Sequence, residues 1–273
     1  MECDLESISR DLRETIIRTA FACGQAAHLG GALSMTDILA VLYWRGAMKY
    51  RPKEPCWEER DIFILSKGHA VLGHLAVLNR IGTISDEDLK TFQTNGSKLI
   101  AHPIKNLEYG IESSNGSLGQ GLSYGLGIAV GYLRRNLANK VFVMMGDGEC
   151  NEGSVWEAAA LAAELQADNL IGIVDVNRLR NDGPNSLFPD AERLASVWRS
   201  FGWDVHEVDG HDFGEIEAAL RGALERKETP SVIVANTVKG KGISFMENNN
   251  DWHHNRITET ILKESLSELG LTP

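Results

Sequence analysis

An α/β fold with a doubly wound, mostly parallel sheet and helices on both faces is what this sequence predicts, and two observations lead there. Short, unbroken apolar runs such as Ile62-Phe63-Ile64-Leu65 recur along the chain, and stretches with apolar residues every three or four positions fill the intervals. Runs without polar alternation suit strands buried on both faces. Strands alternating with helices give a parallel sheet wrapped by helices.

The elements follow in order. Leu5, Ile8, Leu12, Ile16 and Ala20 recur at helical spacing, as do Met35, Ile38, Leu39 and Leu42, so two helices open the chain. Ser34, three residues before Asp37, is the expected N-cap of the second. The first strand is Ile62–Leu65. Helices are expected at 70–81 and 85–93, followed by a stretch without periodicity over 94–117. A helix over 118–135 leads to the strand Val141–Met145, and another over 153–166 leads to the strand Leu170–Val174. Beyond a helix at 190–200, Trp203–Val208 reads as a strand, 212–227 as a helix and Ser231–Ala235 as a buried strand. A second aperiodic stretch, 238–257, precedes one last helix. Long loops of this kind are usually functional or disordered, and the His and Trp residues in these two favour function. No repeat, low-complexity tract or Pro-rich linker breaks the alternation, so 1–273 is expected to be a single domain.

Composition excludes several classes of function. With 27 basic and 38 acidic side chains the formal charge is −11 and no basic stripe appears, so no nucleic-acid partner is expected. No apolar run approaches the roughly 20 residues that span a bilayer. The start Met1-Glu2-Cys3-Asp4 is acidic where a secretion signal is basic, so the expected location is cytoplasmic. Cys3, Cys23, Cys56 and Cys150 lie far apart without metal or disulfide spacing. All four read as free thiols, with Cys150 a small buried filler rather than a nucleophile.

The chemistry is decided by one motif. Val141–Met145 runs into Gly146-Asp147-Gly148-Glu149-Cys150-Asn151-Glu152-Gly153 and then a helix. Ligands of doubly wound sheets bind at the carboxyl ends of strands, where this turn lies. Its glycines let a ligand approach the backbone, leaving the Asp147 carboxylate for a hard cation that prefers oxygen. The next strand ends in Asp175-Val176-Asn177-Arg178-Leu179, so Asn177, thirty residues after Asp147, emerges at the same sheet edge as a second oxygen donor. Mg2+ held by few protein oxygens completes its octahedron with water and phosphate at roughly 2.0–2.1 Å, which describes a metal-bridged diphosphate. The Gly-rich segment Gly119-Gln120-Gly121-Leu122-Ser123-Tyr124-Gly125 is no dinucleotide fingerprint, because its third glycine is misplaced and it follows a loop rather than a strand.

A Gly-Asp-Gly turn followed by a strand-end asparagine at this distance resembles the thiamine diphosphate fingerprint. Six further blocks, in order, resemble the N-terminal, diphosphate-binding domain of transketolases over essentially the whole chain. The first is Ala27-His28-Leu29-Gly30-Gly31 with Ser34, where Leu29 stands in place of the usual proline. Arg60-Asp61-Ile62-Phe63-Ile64-Leu65-Ser66-Lys67-Gly68-His69 is the second, and Ala101-His102-Pro103 the third. The fourth is Asn115-Gly116-Ser117-Leu118-Gly119-Gln120-Gly121. Asp209-Gly210-His211-Asp212 and Lys239-Gly240-Lys241-Gly242 complete the series, with Trp252-His253 after them.

The resemblance implies a site. Asp147, Asn177 and the Leu179 carbonyl would hold Mg2+, or Ca2+ or Mn2+. Gly116, Ser117, Leu118, Gly146, Gly148, Glu149, His69 and His253 would join Asp147 and Asn177 around thiamine diphosphate. His28 and His253 would move protons or bind sugar hydroxyls, His69 would lie beside diphosphate and substrate, and His102 would meet the donor's ketol hydroxyl. Such roles suit imidazole, which titrates near neutral pH. His254 fits the same place in the motif as His253. His211 reads as structural, beside Asp212 as an N-cap. Glu152 matches a glutamate between cofactor sites but suits a helix first turn equally, and Lys239 and Lys241 are either diphosphate contacts or solvated charges.

Full-length transketolases continue into a pyrimidine-binding domain, with the glutamate that activates the cofactor, and a C-terminal domain. The resemblance therefore implies a separately encoded partner supplying both, an α2β2 heterotetramer, and near-inactivity of this chain alone. The substrates would be a ketose, expected to be a phosphate, and an aldose. Within enzymes the alternatives are a transketolase-like enzyme for a specialised sugar and the α subunit of a 2-oxo-acid dehydrogenase, which would lack the His28, His69 and His102 blocks. A non-catalytic cofactor-binding module would not need those histidines.

Overall fold

The computed structural model describes residues 4–272. Met1-Glu2-Cys3, the acidic start together with the thiol expected at Cys3, lies outside the described residues. Cys23, Cys56 and Cys150 are free thiols.

The chain opens with α1 (Leu5–Ala22), capped by the Asp4 side chain, then α2 (Gly30–Ser34) and α3 (Thr36–Trp44). Strand β1 (Ile62–Leu65) leads through a short 3-10 turn into α4 (Val71–Arg80) and α5 (Asp86–Leu89). Helix α6 (Gln120–Arg134) precedes β2 (Val141–Gly146), and α7 (Gly153–Glu164) precedes β3 (Leu170–Val176). A two-residue hairpin, β4 (Leu179–Arg180) with β5 (Gly183–Pro184), follows. Then come α8 (Ala191–Ser200), β6 (Asp204–Asp209), α9 (Phe213–Glu225), β7 (Ser231–Asn236) and α10 (Glu259–Glu268).

The main sheet has the order β1-β2-β3-β7-β6 and every pairing in it is parallel. Alternation along the strands divides the interior into two cores. Phe63, Leu65, Phe142, Met144, Ile171, Ile173 and Ile233 face the side covered by α1, α3, α4 and α9. Ile64, Val141, Val143, Met145, Val174 and Val232 face α6, α7 and α8, with Trp198 and Trp203 among them. Continuous apolar runs therefore mean burial on both faces, as the strands' composition predicts.

Three local expectations change. Ser34 does not cap a helix: it ends α2, and its hydroxyl donates to Asp175 at 2.6 Å. The helix expected over 85–93 closes after Leu89, because Phe92 turns into the core and Gln93 takes a left-handed φ of 58°. The β4–β5 hairpin is an addition to the expected elements, although its Asp182-Gly183 dipeptide is a turn signal.

Candidate functional site

Because all five strands run the same way, four carboxyl ends deliver their following residues to one edge. β1 delivers Ser66 to His69, β2 Gly146 to Glu149, β3 Asn177 to Leu179, and β7 Thr237 to Lys239. Between them lies a cleft of about 570 Å³ lined by Asp147, Asn177, Leu179, His28, His69 and His102, among others. Gly116, Leu118, Gly146, Gly148, Glu149, Glu152 and His253 also reach it. Ser117 is exposed and outside that lining.

The floor is organised by Asp175, which is fully buried. Period-two alternation puts it on the same face as Ile171 and Ile173, and Lys67 likewise follows Phe63 and Leu65. The two form a buried ion pair. Asp175 also accepts from Ser34, from Thr237 and, at 3.1 Å, from the Asn177 amide. Burial pushes its carboxyl up, but the Lys67 ammonium and these hydrogen bonds outweigh that and leave it below the ordinary range. Lys67 reaches on to the Gly31 carbonyl at 2.9 Å, joining the first histidine block to the sheet.

Asp147 sits beside this pair. Its carboxylate accepts from the Arg178 backbone N–H at 3.0 Å and the Asn185 amide at 3.3 Å. Burial, then the Asp175 charge, raises its carboxyl to about 6. Arg178 adopts a left-handed φ of 66°, a conformation disfavoured for a residue with a Cβ, between the cleft-lining Asn177 and Leu179. The Leu179 carbonyl lies 3.0 Å from the Lys239 ammonium, whose three N–H bonds are shared among it, Arg180 O, Asn250 Oδ1 and His253 Nδ1. Burial, then Lys67, lowers the Lys239 ammonium to about 8. The neighbouring Lys241 instead turns toward Glu247. The loop holding both is pinned by Arg13, which donates to Lys241 O and Asp37, and by His211, which bridges Asp37 and the Val238 N–H. Accepting that N–H at Nε2 fixes the His211 proton on Nδ1, toward Asp37. His211 is structural, and Asp212 caps α9.

Above the floor the imidazoles gather around His28. Its ring centroid lies 5.4 Å from His69, 5.7 Å from His102, 5.4 Å from His253 and 4.4 Å from His254. Among the described residues no protein hydrogen bond reaches the rings of His28, His69, His102 or His254. Burial, then His254 and the other neighbours, lowers His28 to about 3, and burial followed by Lys67 lowers His69 as well. His253 falls to about 4 through burial, then Lys239. Since Lys239 donates to its Nδ1, the neutral His253 ring has its proton on Nε2.

Two glycines allow the loops to close on this group. A Cβ on Gly68 would overlap the Asn115 carbonyl, and Gly119 has a φ of 84° with Glu152 Cβ only 2.7 Å from where its own Cβ would be. Glu149 lies beneath, accepting from Ser66, from the Gly119 N–H at 2.8 Å and from the Gly146 N–H at 3.2 Å. Its carboxylate is thus taken up by protein donors that brace β1, α6 and β2. Cys150 is fully buried, its thiol raised by burial and then by Glu149 and Asp147, which suits a filler.

The structure brings His28, His69, His102, His253, Asp147, Asn177 and Leu179 to one cleft. Sequence reasoning missed Asp175, Lys67, Asn185 and Asn250. Asp175 had a readable signal: a charge at the end of a strand buried on both faces needs partners.

The cleft's atoms fit a hard cation bridging a diphosphate. Carboxylate, amide and carbonyl oxygens share one lining, and a carboxyl raised by burial gains from a positive charge beside it. Among the described residues no group of three or more His, Cys, Asp or Glu side chains is placed to hold a metal ion by itself.

Residues 16–273 match the family described as "Transketolase, thiamine diphosphate binding domain". The 6-deoxy-6-sulfo-D-fructose transketolase subunit SqwG of Clostridium sp. (strain MSTE9) is 37% identical over 268 residues, covering 98% of this chain and 97% of that protein. An apulose-4-phosphate transketolase subunit from Actinobacillus succinogenes is 38% identical over 92% of this chain and 90% of its own length. The solved transketolase from Leishmania mexicana superposes with a TM-score of 0.91 at 30% identity, covering 100% of this chain but 42% of that one. The chain belongs to the transketolase family of transferases, and what it matches there is the thiamine diphosphate-binding domain.

Proposed function

We propose that the chain holds thiamine diphosphate through Mg2+, or through Ca2+ or Mn2+ in its place. With a partner chain it then transfers a two-carbon ketol unit from a ketose to an aldose. The observation that carries this reading is a single cleft with oxygen ligands at one end and imidazoles at the other, of which, among the described residues, only His253 has a protein hydrogen bond. Asp147, Asn177 and the Leu179 carbonyl hold the cation, and the buried Lys67 and Lys239 supply further positive charge beside the diphosphate. When bound, the cofactor supplies the nucleophilic carbon that attacks the ketose carbonyl.

The remaining work belongs to this chain's side chains. At neutral pH His28 and His69 are held uncharged by burial, so each has a ring nitrogen available to accept a hydrogen bond from a substrate hydroxyl. His102, across from His28, takes the ketol hydroxyl. His253 presents Nε2–H as a donor to substrate or diphosphate, because Lys239 occupies Nδ1. Residues 1–273 act as one diphosphate-binding domain.

The partner chain in this reading supplies pyrimidine-binding and C-terminal domains in an α2β2 assembly. Exposed apolar side chains on segments bordering the cleft support it: Ile100 and Ile104 flank His102, and Leu187 follows the Arg180–Asp182 lining. Two relatives that match nearly the whole chain are themselves named as subunits. Their names make 6-deoxy-6-sulfo-D-fructose and apulose 4-phosphate, with D-fructose 6-phosphate as a common ketose, the donors to try first.

The test is co-expression with a chain carrying a pyrimidine-binding domain, followed by light scattering, calorimetric titration with thiamine diphosphate and Mg2+, and ketol-transfer assays. Those assays use the three ketoses and the minimal donor hydroxypyruvate. A heterotetramer with tightened cofactor binding and transfer from at least one donor is expected. An assembled complex that binds no cofactor and transfers from none of the donors would overturn the reading.

A further inference from the structure

The histidine nearest to His28 is not one that lines the cleft floor. Ala27 and Asn255 form an antiparallel bridge, with Ala27 N to Asn255 O at 2.9 Å and Asn255 N to Ala27 O at 3.0 Å. One step along that register sets His28 opposite His254, so the backbone itself brings the two side chains together. Their ring centroids stand 4.4 Å apart, tilted by 45°. His254 is exposed where His28 is half-buried. Of the cleft imidazoles it makes ring contact with His28 alone, whereas His253 meets both His28 and His69. The adjacent histidines are thus divided by their partners. His253 is tied through Lys239 to the Leu179 end, and His254, exposed and outside the cleft's lining, stands against His28 with no protein hydrogen bond among the described residues.

We infer that His254 is a specificity-determining residue: paired with His28, it binds a hydroxyl of the sugar chain beyond the two carbons that are transferred. The inference rests on the ketol-transfer reading above. Within that reading the reacting carbons lie where His28, His69 and His102 converge, so a ring beyond His28 meets the substrate farther along its chain. An imidazole both donates and accepts, which matches a hydroxyl in either role. His254 belongs to the same extended contact that holds the loop on Ala27, so its position requires no rearrangement of the floor.

The experiment compares donors in the assembled complex. Hydroxypyruvate has no hydroxyl beyond the ketol unit, erythrulose has such hydroxyls without any charge, and D-fructose 6-phosphate has both hydroxyls and a charged terminus. In His254→Ala the kcat/KM for erythrulose and for the phosphorylated ketose, each relative to hydroxypyruvate, is expected to fall about 2- to 12-fold, the worth of one hydrogen bond. The loss should appear mainly in KM, with thiamine diphosphate affinity retained by calorimetry. His254→Asn, which keeps a donor and an acceptor, should recover part of it. An equal change for all three donors, no change in the ratio, or a loss confined to the phosphorylated ketose would overturn the assignment. A wild-type complex inactive with every donor would instead overturn the ketol-transfer reading, and this inference with it.

Discussion

The Asp175 end of the cleft and the histidine end differ in how much of their hydrogen bonding the protein itself supplies. Around Asp175 nearly every donor and acceptor is used: Lys67, Ser34, Thr237 and Asn177 all converge on one carboxylate. Around His28 four other rings crowd together, and among the described residues only His253 of the five is bonded to another side chain. A buried charge without partners is expensive, so the charged floor must be completed by the fold before any ligand arrives. Half-buried imidazoles next to solvent incur no such penalty, and their nitrogens stay available. The contrast teaches that positions are fixed by the satisfied end and that ring nitrogens are left available at the other.

The largest expected effect breaks the satisfied end. Asp175→Ala leaves the Lys67 ammonium buried without its counter-charge, and loss of one partner of such a pair typically costs about 3–5 kcal/mol. Urea unfolding monitored by circular dichroism should show a midpoint well below wild type. The double variant Lys67→Met with Asp175→Leu should be less destabilised than Asp175→Ala, and the opposite ranking would contradict the ion-pair account.

Asp147→Ala and Asn177→Ala test the floor's ligand-binding role. Each removes an oxygen from a site with few protein donors, so metal-dependent binding of thiamine diphosphate should weaken by more than the ~10- to 100-fold typical of an outer partner. Calorimetry on the complex reads this directly, and wild-type affinity in either variant would sink the metal assignment. At the other end, His102→Ala should lower turnover while leaving cofactor affinity nearly intact. One hydrogen bond to a reacting group corresponds to roughly 10- to 100-fold. Lost cofactor binding with normal turnover at saturating cofactor would reverse the roles of the two ends.

The smallest effect uses a histidine outside the cleft as a control. His74 is buried against Phe63 and the Tyr43 hydroxyl, and burial alone lowers it to about 3. Its folded pKa lies below the unfolded value of about 6.5, so the unfolded chain binds the extra proton. Its contribution is fully present above that value and is lost as pH falls toward 3. Urea midpoints measured from pH 7 to pH 4 should therefore decline, and His74→Phe should flatten the decline. An unchanged slope would place the acid sensitivity in other groups.

Much of this was legible in the sequence. Four of the five strands of the main sheet followed from unbroken apolar runs, since burial on both faces leaves no room for polar alternation, whereas β6 is a half-exposed edge strand that carries no such run. The convergence of Asp147 and Asn177 followed from strand ends one crossover apart, and that of Leu179 from the family resemblance. Other features were not legible, because they depend on side chains far apart in the chain. Ser34 has the spacing of a helix cap, yet its hydroxyl meets Asp175 at 2.6 Å. Lys239 and Lys241 are indistinguishable as residues of one loop, yet one is buried among four acceptors and the other turns to Glu247.

The sequence by itself determined the alternation of strands and helices, the parallel sheet and the edge at which the motif residues emerge. These follow from periodicity and from the chirality of βαβ connections, which are local properties of the chain. Only the tertiary structure decided which charges are paired, which imidazoles remain free, and that His254 stands opposite His28. Those outcomes depend on the Ala27–Asn255 bridge and the Lys67–Asp175 pair, contacts between segments more than a hundred residues apart whose desolvation and hydrogen bonding are settled only when the sheet has brought them together.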